Sequence, residues 1–113
     1  MSRAYIPDLG HVVWLHLDPR TGHEQAVHRP ALVLTPAFYN AKSGLMVCCP
    51  LTSQIKGYSF EVIVEFNKAR SAVLTDQLRS VDWKARKAKK AGAISPDSLL
   101  HVKGMIKALL TIA

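Results

Sequence analysis

Acidic residues are scarce in this chain: 8 Asp and Glu stand against 15 Lys and Arg among 113 residues, leaving a formal net charge of +7. Cysteine is scarcer still, with two, and they are neighbours at positions 48 and 49. Successive residues of a strand point to opposite faces, so Cys48 and Cys49 cannot easily bridge each other, and no spaced pair remains for a disulfide framework or a zinc site. They read as small buried hydrophobes. No apolar run approaches the roughly 18 residues that a bilayer-spanning helix needs. The opening Met1-Ser2-Arg3-Ala4-Tyr5-Ile6-Pro7-Asp8 lacks the basic leader, apolar stretch and small-residue cleavage site of an export signal. A cytoplasmic protein without membrane attachment is expected. Internal repeats and low-complexity stretches are also missing.

What the chain does have is apolar content, 49% against 20% charged. That balance belongs to a folded chain, and the length to one domain spanning residues 1–113. The excess of cations draws polyanions, so nucleic acid, an acidic protein or an anionic surface are the candidate partners.

Periodicity supplies the elements. His11 to Asp18 reads as a strand, with Val13, Leu15 and Leu17 on one face and Val12, Trp14, His16 and Asp18 on the other. Asp18-Pro19 ends it. A loop from Arg20 to Arg29 follows, and Pro30 opens the unbroken apolar run Ala31 to Thr35, a strand covered on both faces. Pro36 to Gly44 reads as a connection or single helical turn, and Leu45 to Leu51 as a third strand that delivers Thr52-Ser53-Gln54 at its end. Tyr58, Phe60, Val62, Val64 and Phe66 alternate with Ser59, Glu61, Ile63 and Glu65 as a half-buried strand. Asn67 to Ser71 reads as a turn before a short strand at Ala72-Val73-Leu74. From Arg79 to Lys90 six cations surround the single acid Asp82, either a solvated face or a rim that attracts phosphates, with Trp83 placed for base stacking or partial burial. Ser95, Pro96 and Asp97 mark the start of a terminal helix whose apolar stripe is Leu99, Leu100, Val102, Ile106, Leu109 and Leu110. Five or so short strands and a terminal helix, without βαβ alternation, give a mainly β, α+β fold: a compact antiparallel barrel or half-barrel with the helix packed on it.

Reactive groups concentrate in His23-Glu24-Gln25-Ala26-Val27-His28-Arg29-Pro30, where a carboxylate, an amide, imidazoles and a guanidinium fall within one loop. A histidine-based metal site is not expected: along a strand His11 and His16 fall on opposite faces, and His23 with His28 has no cysteine and one acid nearby. No cofactor is expected either.

The run Asp18-Pro19 through Gly22-x-Glu24-Gln25-x-x-x-Arg29-Pro30-Ala31, then Pro50-Leu51-Thr52-Ser53 and Asp76-Gln77, resembles the MazF/PemK family of bacterial toxins. Tyr5-Ile6-Pro7-Asp8, Lys56-Gly57-Tyr58 and the final helix extend the likeness over nearly the whole chain. The resemblance implies an SH3-like or plasmid-toxin-type barrel and a homodimer. It also implies an endoribonuclease that cuts single-stranded RNA at short motifs without a metal, leaving a 2′,3′-cyclic phosphate and a 5′-hydroxyl. An acidic MazE-like antitoxin would neutralise it. Arg29 and Thr52 match the family's catalytic pair.

Elementary chemistry fits those positions. Attack by a 2′-hydroxyl requires one group to take its proton and another to offset charge on the phosphate oxygens. Arg29 suits the second task, because a guanidinium grips two oxygens and stays charged. Glu24 suits proton removal or holding Arg29; Thr52 positions the phosphate. Gln25, His28, Ser53, Lys56, Asp76 and Gln77 are the candidate RNA contacts. Two alternatives stay open: a CcdB-like gyrase poison, which the C-terminal Thr111-Ile112-Ala113 disfavours for want of a terminal aromatic, and a basic barrel that binds RNA without cutting it.

Overall fold

A computed structural model describes residues 4–16 and 28–111. Among the described residues seven strands and two helices follow one another: β1 (His11–His16), β2 (His28–Val33), α1 (Ala37–Ser43), β3 (Leu45–Thr52), β4 (Glu61–Phe66), β5 (Ala69–Leu74), β6 (Arg79–Asp82), β7 (Lys89–Ala93) and α2 (Pro96–Leu110), with a 3-10 turn at Thr75–Gln77. All pairings are antiparallel, in the order β4-β5-β3-β2-β1-β7, and β6 also pairs with β3. β3 is the common member. Its first half, Leu45 to Cys48, pairs with β6, its last two residues with β5, and its centre with β2. This is the mainly β half-barrel with a C-terminal helix that the residue pattern implied.

The uninterrupted apolar strands bury both faces. Val12, Leu32 and Cys49 belong to one core, closed by Val62, Val64, Phe66, Val73 and Val102. Their sequence neighbours Val13, Ala31, Val33 and Cys48 belong to a second core with Met46, Val81 and Trp83. Consecutive side chains of a strand point oppositely, so one strand serves two cores. Cys48 and Cys49 are therefore buried on opposite faces as free thiols, and burial lifts them to about 11 and about 12.

Several boundaries differ from the expectation. β1 is described as far as His16, and Leu17 and Asp18 fall outside the described residues. β2 begins at His28, so Pro30 lies inside the strand rather than opening it; it sits opposite Trp14, where no N–H is required of it. Residues 37–43 form a two-turn helix because its free amide ends have a partner from elsewhere: Asp8 Oδ1 accepts the Ala37 N–H at 2.9 Å and the Leu9 N–H at 2.8 Å. These N–H groups hold the Asp8 carboxyl below its usual range. β4 begins only at Glu61, since residues 57–60 turn and leave Tyr58 64% exposed. Asn67 and Lys68 both take left-handed φ, 52° and 63°, so a two-residue hairpin turn suffices and β5 starts at Ala69.

The basic segment is not one solvated run. It forms β6, a turn and the edge strand β7, whose lysines project outward. Trp83 is buried, and its Nε1–H donates to the Asn40 carbonyl at 2.9 Å. That removes it from base stacking. Helix α2 starts as expected: Ser95 Oγ accepts the Ser98 N–H at 3.1 Å, with Pro96 in the first turn. Val102 is fully buried, and Leu99, Met105 and Ile106 pack beside it. Leu100, counted in the apolar stripe, is 71% exposed because its helical angle carries it off the face that Leu99, Val102 and Ile106 share; Leu110 keeps that angle but is 69% exposed as the last residue of the helix. No helix among the described residues is long and apolar enough to cross a membrane.

Candidate functional site

Strand pairing decides which polar side chains meet. The ladder between β2 and β3 ends at Ala31 opposite Pro50, and two residues beyond that pair lie Arg29 on one strand and Thr52 on the other. Both contribute to a groove of about 560 Å³ whose floor includes Leu15, Ala31, Cys48 and Val81. The floor is one of the two cores, so the polar rim stands on rigid packing. A smaller depression adjoins it, also lined by Arg29 and Thr52, together with Ser53, Gln54 and Trp14.

Around the rim, each polar group has its own support. Arg29 is exposed on β2, opposite Leu15 of β1. Thr52 is half-buried opposite Ala72 of β5. Its Oγ1 accepts the Gln54 N–H at 3.1 Å, which leaves the hydroxyl hydrogen to donate elsewhere. The loop that follows is shaped by Glu61: its Oε1 accepts the Gly57 N–H at 2.8 Å and the Lys56 N–H at 3.1 Å. Gly57 sits at φ 78°, a left-handed turn that brings those two amides round to one carboxylate. Lys56 thus reaches the groove from a braced backbone, with its Nζ 6.0 Å from the Tyr58 ring centroid. Asp76 and Gln77 occupy the 3-10 turn after β5, anchored by the buried Thr75, whose Oγ1 donates to the Phe60 carbonyl at 2.6 Å.

Arg29, Thr52, Lys56, Asp76 and Gln77 therefore share one groove, although they come from four separate stretches of chain. Ser53 lies in the adjoining depression. His28 lines neither; its ring meets His16 edge-on with centroids 4.4 Å apart. Glu24 and Gln25 lie outside the described residues.

The groove also holds residues that sequence reasoning did not single out: His16, Gln54, Glu61, Arg79 and Arg86. Arg86 is fixed to the end of β1, donating through Nη1 to the His16 carbonyl at 3.1 Å, while its own carbonyl accepts the His16 N–H at 3.0 Å. Lying in a cationic run, Arg79 and Arg86 carried no signal of their own. With Arg29 and Lys56 they give the groove four cations against the acids Glu61 and Asp76, and Glu61 is turned to backbone amides. Such a groove suits a phosphodiester chain more than a neutral ligand.

Comparison with known proteins gives the family. The family described as "PemK-like, MazF-like toxin of type II toxin-antitoxin system" matches residues 8–110. The endoribonuclease toxin MazF of Escherichia coli (strain K12) is 44% identical over 110 residues, covering 97% of this chain and 99% of that protein. The endoribonuclease PemK of Escherichia coli is 33% identical over 105 residues, covering 88% and 79%. Among solved structures, MazF of Deinococcus radiodurans superposes with a TM-score of 0.83 at 46% identity, covering 96% of this chain and all of that one. A MazE-MazF structure from the same organism gives 0.83 at 43%, with the same coverage. With most of its length matched by the family and its fold shared with MazF, this chain belongs to the PemK/MazF toxins of type II toxin-antitoxin systems.

Proposed function

We propose that this protein is an endoribonuclease toxin that cuts single-stranded RNA at short sequence motifs without a metal ion. One observation carries the reading: Arg29 and Thr52 stand on adjacent strands just past the last β2-β3 pair and line one cationic groove. In the reaction the ribose 2′-oxygen forms a bond to phosphorus as the bond to the 5′-oxygen breaks, giving a 2′,3′-cyclic phosphate and a 5′-hydroxyl. Arg29 offsets the charge that builds on the phosphate oxygens and, as a second task, protonates the leaving oxygen. Thr52 donates its hydroxyl to the phosphate. Glu24 takes the 2′-proton or holds Arg29. Lys56, Asp76, Gln77 and Ser53 contact the flanking RNA, joined by Gln25 and His28.

The whole chain, residues 1–113, acts as one domain and pairs as a homodimer in the cytoplasm. The match to a MazE-MazF structure supports an antitoxin partner, and the net charge of +7 calls for an acidic one. A peptide of that sign laid along the groove excludes RNA by occupying its cations.

Incubating the purified protein with a long single-stranded RNA in excess chelator, then mapping the ends, tests the reading. Discrete cuts at a recurring short motif with 5′-hydroxyl ends are expected. RNA that is retained but stays intact would leave a binding barrel instead. A chain inert towards RNA that traps gyrase in a supercoiling assay would be a gyrase poison. A Glu24→Ala protein cutting at the wild-type rate would remove that carboxylate from the mechanism.

A further inference from the structure

Along the chain the histidines form the spacings 11/16 and 23/28, neither of which suits a shared ion, but the sheet makes a different pair. His16, the last residue of β1, lies directly opposite His28, the first of β2. Two facts set the kind of pairing. Pro30 has no N–H, so Trp14 and Pro30 cannot exchange both ladder bonds, and the alternation of an antiparallel ladder puts His16 and His28 in the same class two residues on. Independently, the His16 N–H and carbonyl are both engaged with Arg86 on the other side of the strand, at 3.0 and 3.1 Å. In such a non-hydrogen-bonded pair the side chains stand closest, and the rings are in contact, with centroids 4.4 Å apart and planes at 65°.

We propose that His16 and His28 chelate a first-row transition cation of the zinc type across the ends of β1 and β2. Two imidazoles sharing a tetrahedral zinc through bonds of about 2.0–2.1 Å hold their centroids on the order of 5 Å apart. A small side-chain rotation opens the observed contact to that distance. Both rings are accessible, His16 half-buried and His28 exposed. Alternation along β2 turns the neighbouring Arg29 to the opposite face with Leu15 and Ala31, which spares the ion a guanidinium in its first shell. With two imidazoles as its ligands the ion is held with modest affinity, and a tetrahedral zinc takes two further ligands such as water. The buried thiols of Cys48 and Cys49, held protonated, do not compete for the ion.

The test is calorimetric titration of the purified chain with zinc chloride, paired with thermal melts at increasing zinc, in wild type, His16→Gln and His28→Gln. One zinc per chain is expected, with a melting midpoint that climbs with zinc because the ion clips two strand ends. Either substitution should weaken binding by at least about tenfold, since losing a ligand costs no less than losing a ligand's supporting partner. Magnesium, which demands oxygen ligands, should bind none of the three proteins. The melts without metal report whether each variant folds. Equal zinc binding in all three proteins, or loss with His28→Gln but not with His16→Gln, would overturn the site.

Discussion

Replacing Asn40 with alanine tests the account of how the two cores and the N-terminal segment are tied together. Asn40 is fully buried in α1, and no atom of its side chain is idle. Its Nδ2 donates to the Pro7 carbonyl at 2.8 Å and to the Thr35 carbonyl at 2.9 Å, and its Oδ1 accepts the Thr35 hydroxyl at 2.7 Å. Three bonds at about 1 kcal/mol each give roughly 3 kcal/mol, and a buried Pro7 carbonyl left without a donor adds about 1–2 kcal/mol. The expected loss is therefore about 3–5 kcal/mol, or a fall in Tm on the order of 15 °C. Urea denaturation at fixed protein concentration measures it, so that any association term stays constant. Asn40 does not line the groove, so RNA cleavage per folded molecule at low temperature should be unchanged. A loss below about 1 kcal/mol would refute the reasoning, because it would mean that the orphaned groups find partners the fold does not offer.

Arg29→Lys keeps the charge but not the two-oxygen grip, so kcat should fall by about 10- to 100-fold while RNA binding, read by filter retention, changes far less. Glu61→Gln weakens the hold on the Lys56 and Gly57 amides; KM for an RNA substrate should rise several-fold, about 1 kcal/mol, with kcat less affected. Acid should destabilise the fold in two stages. Burial holds His11 below its ordinary value, so its contribution is complete above the unfolded value of about 6.5 and is lost as pH falls through the lower folded one. Asp8 behaves alike below about 3.9, through the Ala37 and Leu9 amides. Denaturation at several pH values should show both stages, and Asp8→Asn should lack the lower one; a flat profile in the wild type would contradict both assignments.

Much of this architecture was legible where local pattern and tertiary role agree. The unbroken apolar β2 and β3 announced burial on both faces, Cys48 and Cys49 went one to each core, and Ser95-Pro96-Asp97 began α2. Elements stabilised from far away were harder to see. Helix α1 takes its N-terminal partner from Asp8, 29 residues upstream, so nothing local marked it as more than a turn. β7 reads Lys-Lys-Ala-Gly-Ala and becomes a strand only because β1 offers an edge; Gly92 also admits the Phe66 ring, which a Cβ there would meet at 2.9 Å. At the site, Arg29 and Thr52 were legible through the family motif, whereas Arg79 and Arg86 were hidden in a charge run and the His16–His28 contact exists only in the register.

The sharing of β3 among three partners has a bearing on how such a toxin can diversify. A one-residue insertion or deletion within Leu45–Thr52 would exchange the occupants of both cores at once and carry position 52 away from position 29, so drift in length is barred there. The segment between Ser53 and Phe60 is held through its backbone amides, by Thr52 of β3 at Gln54 and by Glu61 of β4 at Lys56 and Gly57, so its side chains can change without disturbing either core. Under the proposed function, preference for a different RNA motif is thus free to evolve in the loop while the chemistry stays where the strand puts it.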